Sequence, residues 1–217
     1  MFSKVIRNID SGFVGRRGNA VRPSVFCDFL YDHLEIKKDR DVYFCRLGMF
    51  MQDVRSGAGN GHMGLNLPDF GLTKSGVGVM PDFFDEAVSR GYSWKDTDAR
   101  DLSEALKDHS ISFFSFWGAP ENCVDYLRYA QGEPKPKNLD VYQKYGLSPH
   151  RCATNAMQLG LLFAYLGERK LAEIQFYEYI DLALSTDTEA AQALDLLRKG
   201  LLRPEPHAFP FADLLVR

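Results

Sequence analysis

The chain has 217 residues, 45% of them hydrophobic and 25% charged, the composition of an ordinary soluble globular protein. A chain this long buries roughly 70% of its unfolded surface, so a core needs no disulfide or metal staple. A formal net charge of −3 excludes a global positive field that would draw the protein onto nucleic acid.

In chain order, "FSKVIRNI" (2–9) predicts a short amphipathic helix with Phe2, Val5, Ile6 and Ile9 on one side. The glycines of "SGFVGRRGN" break it. "VFCDFLYDHLEI" (25–36) reads either way. Val25, Phe29 and His33 would share a helical face, yet the aromatic content also suits a strand. "DVYFCRLGMFM" (41–51) is apolar on both faces and bounded by turn signals, which predicts a buried strand. From 55 to 80 the chain is glycine-rich and reads as a long connection, with a short strand near Val77–Met80. Pro81 suits the first position of the helix "PDFFDEAVSRG", which Gly91 terminates.

Thr97 or Asp98 is placed to cap "DARDLSEALKDHS", with Leu102, Ala105 and Leu106 facing inward and His109 near the helix end. "ISFFSFW" (111–117) reads as a short aromatic strand or buried turn. "APENCVDYLRYAQ" predicts a helix begun near Pro120 and stopped by Gly132. "GEPKPKN" looks like a linker. Beyond it the pattern is helical over 148–166, 168–184 and 187–200. The expected fold is α+β. A small, mostly antiparallel sheet with helices occupies 1–132. A linker-like segment covers 133–146, and a helical region over 147–217 packs against the first part. The helix "LAEIQFYEYIDLAL" is too apolar around its circumference to be left bare.

The chemical motifs are sparse. "GNGHMG" (59–64) matches the G-x-G-x-x-G spacing that lets a backbone approach a pyrophosphate at a helix N-terminus. A strand precedes it, but Pro68 and Gly71 forbid the helix that must follow, so a plain loop is expected. Cys27, Cys45, Cys123 and Cys152 lie far apart, as reduced thiols of a cytoplasmic protein would. His150 and Cys152 are too few to close a zinc tetrahedron. Neither cofactor nor metal is expected. No segment reaches the roughly 18–20 apolar residues of a membrane span, and the N-terminus lacks the apolar run of a signal peptide.

Charge is the uneven feature. Residues 173–197 hold six acids and no lysine or arginine, and 82–108 hold eight acids against four bases. Glu173, Glu178 and Asp181 fall within an arc of roughly 140° of one helix. Asp187 and Glu189 follow in the first turn of the next, where the dipole favours them. With Asp82, Asp85 and Glu86 as a second group, these acids are the candidate docking residues for a cationic protein. The plain alternative is a solvated face. An enzyme using the glycine loop with His62, or the Asp101/Glu104 pair one turn apart, is a second possibility. A scaffold receiving a peptide in a groove between the late helices is a third.

Two resemblances accompany these readings. Leu159-Gly160, Phe163, Gly167, Ala172 and Phe176 stand at the spacing of one tetratricopeptide hairpin. More of the chain resembles small bacterial α+β domains found among immunity proteins of toxin systems, including type VI secretion effectors. Carrying it are a short helix followed by "SGFVGRRGN", the strand "DVYFCRLGMFM", and a helix into "ISFFSFWGAPENCVDYL" with a helical end. That resemblance implies a cytosolic protein that binds one cognate toxin and blocks it. The acidic faces suit a toxin with a cationic site, such as a nuclease, and protein–protein binding of this kind needs no catalytic residues.

Overall fold

Alternation of inward and outward side chains decides the ambiguous segment at 25–36. In the computed structural model, which describes residues 13–16, 18–28, 30–51, 67–183 and 188–200, its part from Leu30 onward becomes the start of strand β3 (Leu30–Asp39), after β1 (Val14–Arg16) and β2 (Asn19–Pro23). Leu30, Asp32, Leu34 and Ile36 are buried at two-residue spacing, and Tyr31 on the other face stacks on Phe50. A helical face through His33 is thereby ruled out. Strand β4 (Val42–Met51) pairs with β3 along its whole length, as its apolar run leads one to expect. The expected helix at 2–9 and the glycine motif with His62 lie outside the described residues.

The connection read over 55–80 holds two strands rather than one. They are β5 (Phe70–Thr73) and β6 (Gly76–Val79), closed by a tight turn at Lys74 and Ser75 in which the Thr73 hydroxyl donates to the Gly76 carbonyl. Phe70 and Leu72 are fully buried. Strand order is β1-β2-β3-β4-β5-β6, and β7 (Ser93–Trp94) also pairs with β4. Every pairing among the described residues is antiparallel. Trp94 is buried, its indole N–H donating to the Leu72 carbonyl at 2.9 Å.

Helix α1 (Phe84–Ser89) starts later than the sequence suggests, leaving Pro81 ahead of it. Gly91, at a positive φ of 79°, follows its end, a conformation that costs glycine little. Helix α2 (Ala99–Trp117) corrects a larger expectation. "ISFFSFW" is neither strand nor turn but the second half of this helix, and His109 stands in its middle. Asp98 occupies the N-cap position, yet its carboxylate turns back to accept the Lys95 N–H at 2.9 Å. Leu102, Leu106, Phe113 and Trp117 are spaced to share one helical face, and all four are buried.

Helix α3 (Pro120–Ala130) has its proline at the start, as expected. The segment read as a linker then forms α4 (Leu139–Tyr145). Tyr142 from that helix is fully buried, and its hydroxyl donates to Asp125 at 2.7 Å. Helices α5 (Ala153–Tyr165), α6 (Arg169–Ala183) and α7 (Thr188–Arg198) complete the described chain. The result is an α+β fold, sheet first and helices mostly after. One hydrophobic cluster runs from Ala20, Leu47 and Phe70 in the sheet through Trp117 and Tyr142 to Leu162, Phe176 and Leu197 in the last three helices.

Candidate partner-binding surface

Helix α6 approaches α5 closely at one glycine. A Cβ on Gly160 of α5 would fall 2.6 Å from the Phe176 ring, so the missing side chain lets that ring lie against α5. Phe176 and Ala172 are fully buried there. With that face turned inward, the opposite face of α6 carries Ile174 and Tyr177, 57% and 47% exposed, with exposed Asp181 one turn beyond. Helix α5 is buried continuously from Asn155 to Tyr165. Helix α5 therefore presents no exposed apolar face to line the peptide groove expected between the late helices.

The acids of α6 are not bare. Glu173 receives the Arg198 guanidinium at 2.8 Å, and Glu178 that of Arg151 at 3.1 Å. Arg198 also donates to the Tyr177 hydroxyl and lies 5.9 Å from its ring centroid. Arg198 sits just past the lysine- and arginine-free run of 173–197 and Arg151 lies 27 residues before Glu178, so counting charge along that run misses both. Asp181 makes no ion pair among the described residues. Asp187 lies outside those residues, and Glu189 lies on α7 with its side chain outside them.

The second acidic group surrounds the start of α1. Phe83 is 74% exposed there. Asp85 lies 3.4 Å from the Arg40 guanidinium and Glu86 bonds Arg90 one turn along, whereas exposed Asp82 makes no ion pair among the described residues. Arg40 also covers the Phe84 ring at 3.9 Å. Thus both segments where the sequence collects acids leave a large hydrophobic side chain in solvent. No signal in the acid count marks Phe83, Ile174 or Tyr177. Their exposure depends on which helix face the core claims.

Asp101 and Glu104 do not converge. Asp101 accepts from Lys74 at 3.4 Å, and Glu104 meets Arg100 at 3.6 Å. The most perturbed carboxylates are structural. Burial pushes the Asp32 carboxyl above its ordinary range, and the Arg22 guanidinium at 2.8 Å only partly offsets this. Burial would also raise the Asp125 carboxyl. Hydrogen bonds from the Lys137 N–H, the Tyr142 hydroxyl, and the backbone and side chain of Asn138 outweigh it and hold the group below that range. Burial pushes the Cys45 and Cys123 thiols far upward, which makes them inert packing groups.

Among the described residues, no group of three or more His, Cys, Asp or Glu side chains is arranged to hold a metal ion. No helix among them is long and apolar enough to cross a membrane. No family model, curated protein or solved structure matches the chain.

Proposed function

We propose that the protein is a binding protein of the immunity type. It docks on a cationic protein toxin, such as a nuclease effector, and occludes it without performing a reaction of its own. The observation that carries this reading is the pairing of exposed apolar anchors with acids at two places, Ile174 and Tyr177 beside Glu173, Glu178 and Asp181, and Phe83 beside Asp82, Asp85 and Glu86. Protein interfaces concentrate their energy in a few aromatic or aliphatic anchors enclosed by a polar rim. A negative rim speeds encounter with a positive partner and rejects others. Because Arg151 and Arg198 already neutralise two of the α6 acids, the apolar anchors carry the affinity and the acids the partner choice.

Co-expression with the toxin-like product of the neighbouring reading frame tests this. The intact chain restores growth and co-purifies with the toxin. Ile174→Asp with Tyr177→Ala lowers affinity by about 2 kcal/mol or more, the scale of interface anchors. Asp181→Lys slows association and changes its salt dependence. A toxin that kills equally with or without the intact chain, and forms no complex with it, would overturn the proposal.

A further inference from the structure

At the free edge of β6, opposite in chemical character to the acidic surfaces, lies a cleft of about 510 Å³. That volume lies within the range of small-molecule sites. Arg90, His109 and Lys144 line it, brought there from the end of α1, the middle of α2 and the last turn of α4. Ser112 adds a neutral hydroxyl to the lining, while the Ser75 hydroxyl is already hydrogen-bonded to Thr73 at 3.2 Å. Among the described residues no carboxylate lines this cleft, although the chain as a whole carries a net charge of −3. We propose that the cleft binds a small phosphorylated dianion.

The backbone supplies a further donor. The Met80 N–H donates to the Asp69 carbonyl across the hairpin. In an antiparallel ladder, residues alternate between facing their partner and facing away. Gly76, Gly78 and Met80 therefore bond toward β5, while Val77 and Val79 turn their polar groups to the open edge. Val79 confirms the alternation, since its carbonyl accepts the Tyr92 hydroxyl at 2.9 Å. The Val77 N–H thus faces outward beside Gly76, where a Cβ would meet nothing within 4 Å and a ligand can approach the backbone closely, whereas the Tyr92 hydroxyl already fills the space at Gly78.

Local explanations account for single members of the set but not for their convergence. Lys144 sits in the last turn of α4, where the dipole favours a cation, yet it makes no ion pair among the described residues. Arg90 meets Glu86, which does not line the cleft, and a guanidinium keeps further N–H donors for a second acceptor. His109 and Ser112 are three residues apart on α2 and so reach the same side. Two permanent cations, an imidazole and a backbone N–H match a phosphate dianion better than a single carboxylate. With much of the lining polar, binding relies on charge and weakens with salt. This site does not rest on the partner-binding proposal.

The test is an amide and ³¹P NMR titration of the full chain with inorganic phosphate and pyrophosphate, with succinate as the carboxylate control. Saturable shifts centred on Val77, His109 and Ser112 are expected. Lys144→Glu should weaken pyrophosphate binding about tenfold. Lys107→Glu, an exposed lysine outside the cleft carrying the same charge change, should leave affinity within about twofold. Unchanged far-UV circular dichroism confirms that both variants fold. Equal loss in the two variants, shifts that never saturate, or succinate binding as tightly as pyrophosphate would each overturn the assignment.

Discussion

Gly160 and Asp125 show how much a single position decides. A methyl at Gly160 meets the Phe176 ring at 2.6 Å, closer than any tolerated contact, and the ring is fully buried. Gly160→Ala should therefore cost about 1–3 kcal/mol by overpacking, although alanine favours helix. Phe176→Leu in the same chain should recover part of that loss, a coupling that urea unfolding of the single and double variants measures. Asp125 works through hydrogen bonds. Its folded pKa is depressed, so its contribution is present above the unfolded value of about 3.9 and is lost as pH falls through the lower, native value. Asp125→Asn should cost about 1–2 kcal/mol near neutrality, modest because the group is only half-buried. Between wild type and variant, the difference in stability should shrink as pH drops below about 4. A constant difference across that range, by thermal unfolding at each pH, would remove this account. The sequence marks Gly160 through the spacing it shares with Phe176. It gives no sign of Asp125, whose donors come from 12 to 17 residues away.

Element identity was legible where periodicity was uninterrupted and obscured where residue type argued against it. Strand β4 and helices α3, α5, α6 and α7 follow from their patterns, as does the α+β class. "ISFFSFW" misleads because its phenylalanines and tryptophan favour strands in isolation. Tertiary packing overrides them. Continuing the four- and seven-residue spacing from Leu102 and Leu106 to Phe113 and Trp117 would have extended the helix. Phe113 lies 5.0 Å from Phe70 in the sheet, and Trp117 lies 5.4 Å from Tyr126 and 6.2 Å from Tyr142. The same rings explain why 133–146 is not a free linker. Two prolines suggested an extended tether, but Asp125 holds the backbone of Lys137 and Asn138 while Tyr142 enters the aromatic cluster. The candidate surfaces were half legible. Acids can be counted along a chain, whereas the arginines that meet them, the hydrophobic side chains left beside them and the cationic cleft at β6 exist only once helices and sheet edge are placed.

At the scale of the whole molecule, the aromatic cluster makes the sheet and the late helices depend on one another. Trp94 is anchored among the strands and Trp117 at the end of α2, while most helical signal comes from α2 and the elements after it. Because the hydrophobic cluster is continuous from Ala20 to Leu197, loosening the helices exposes the core face of the sheet. Urea unfolding followed by tryptophan fluorescence and by far-UV circular dichroism should therefore give coincident transitions. Leu162→Ala, a fully buried position on α5, should lower stability by about 2–5 kcal/mol and move both probes by the same amount. Were the helical signal to fall first while tryptophan fluorescence held, the late helices would be an independent unit. The surface on α6 would then be presented by a movable module. Coincidence would mean that the docking face, the β6 cleft and the sheet share one stability, so a partner bound at α6 would protect all three from unfolding.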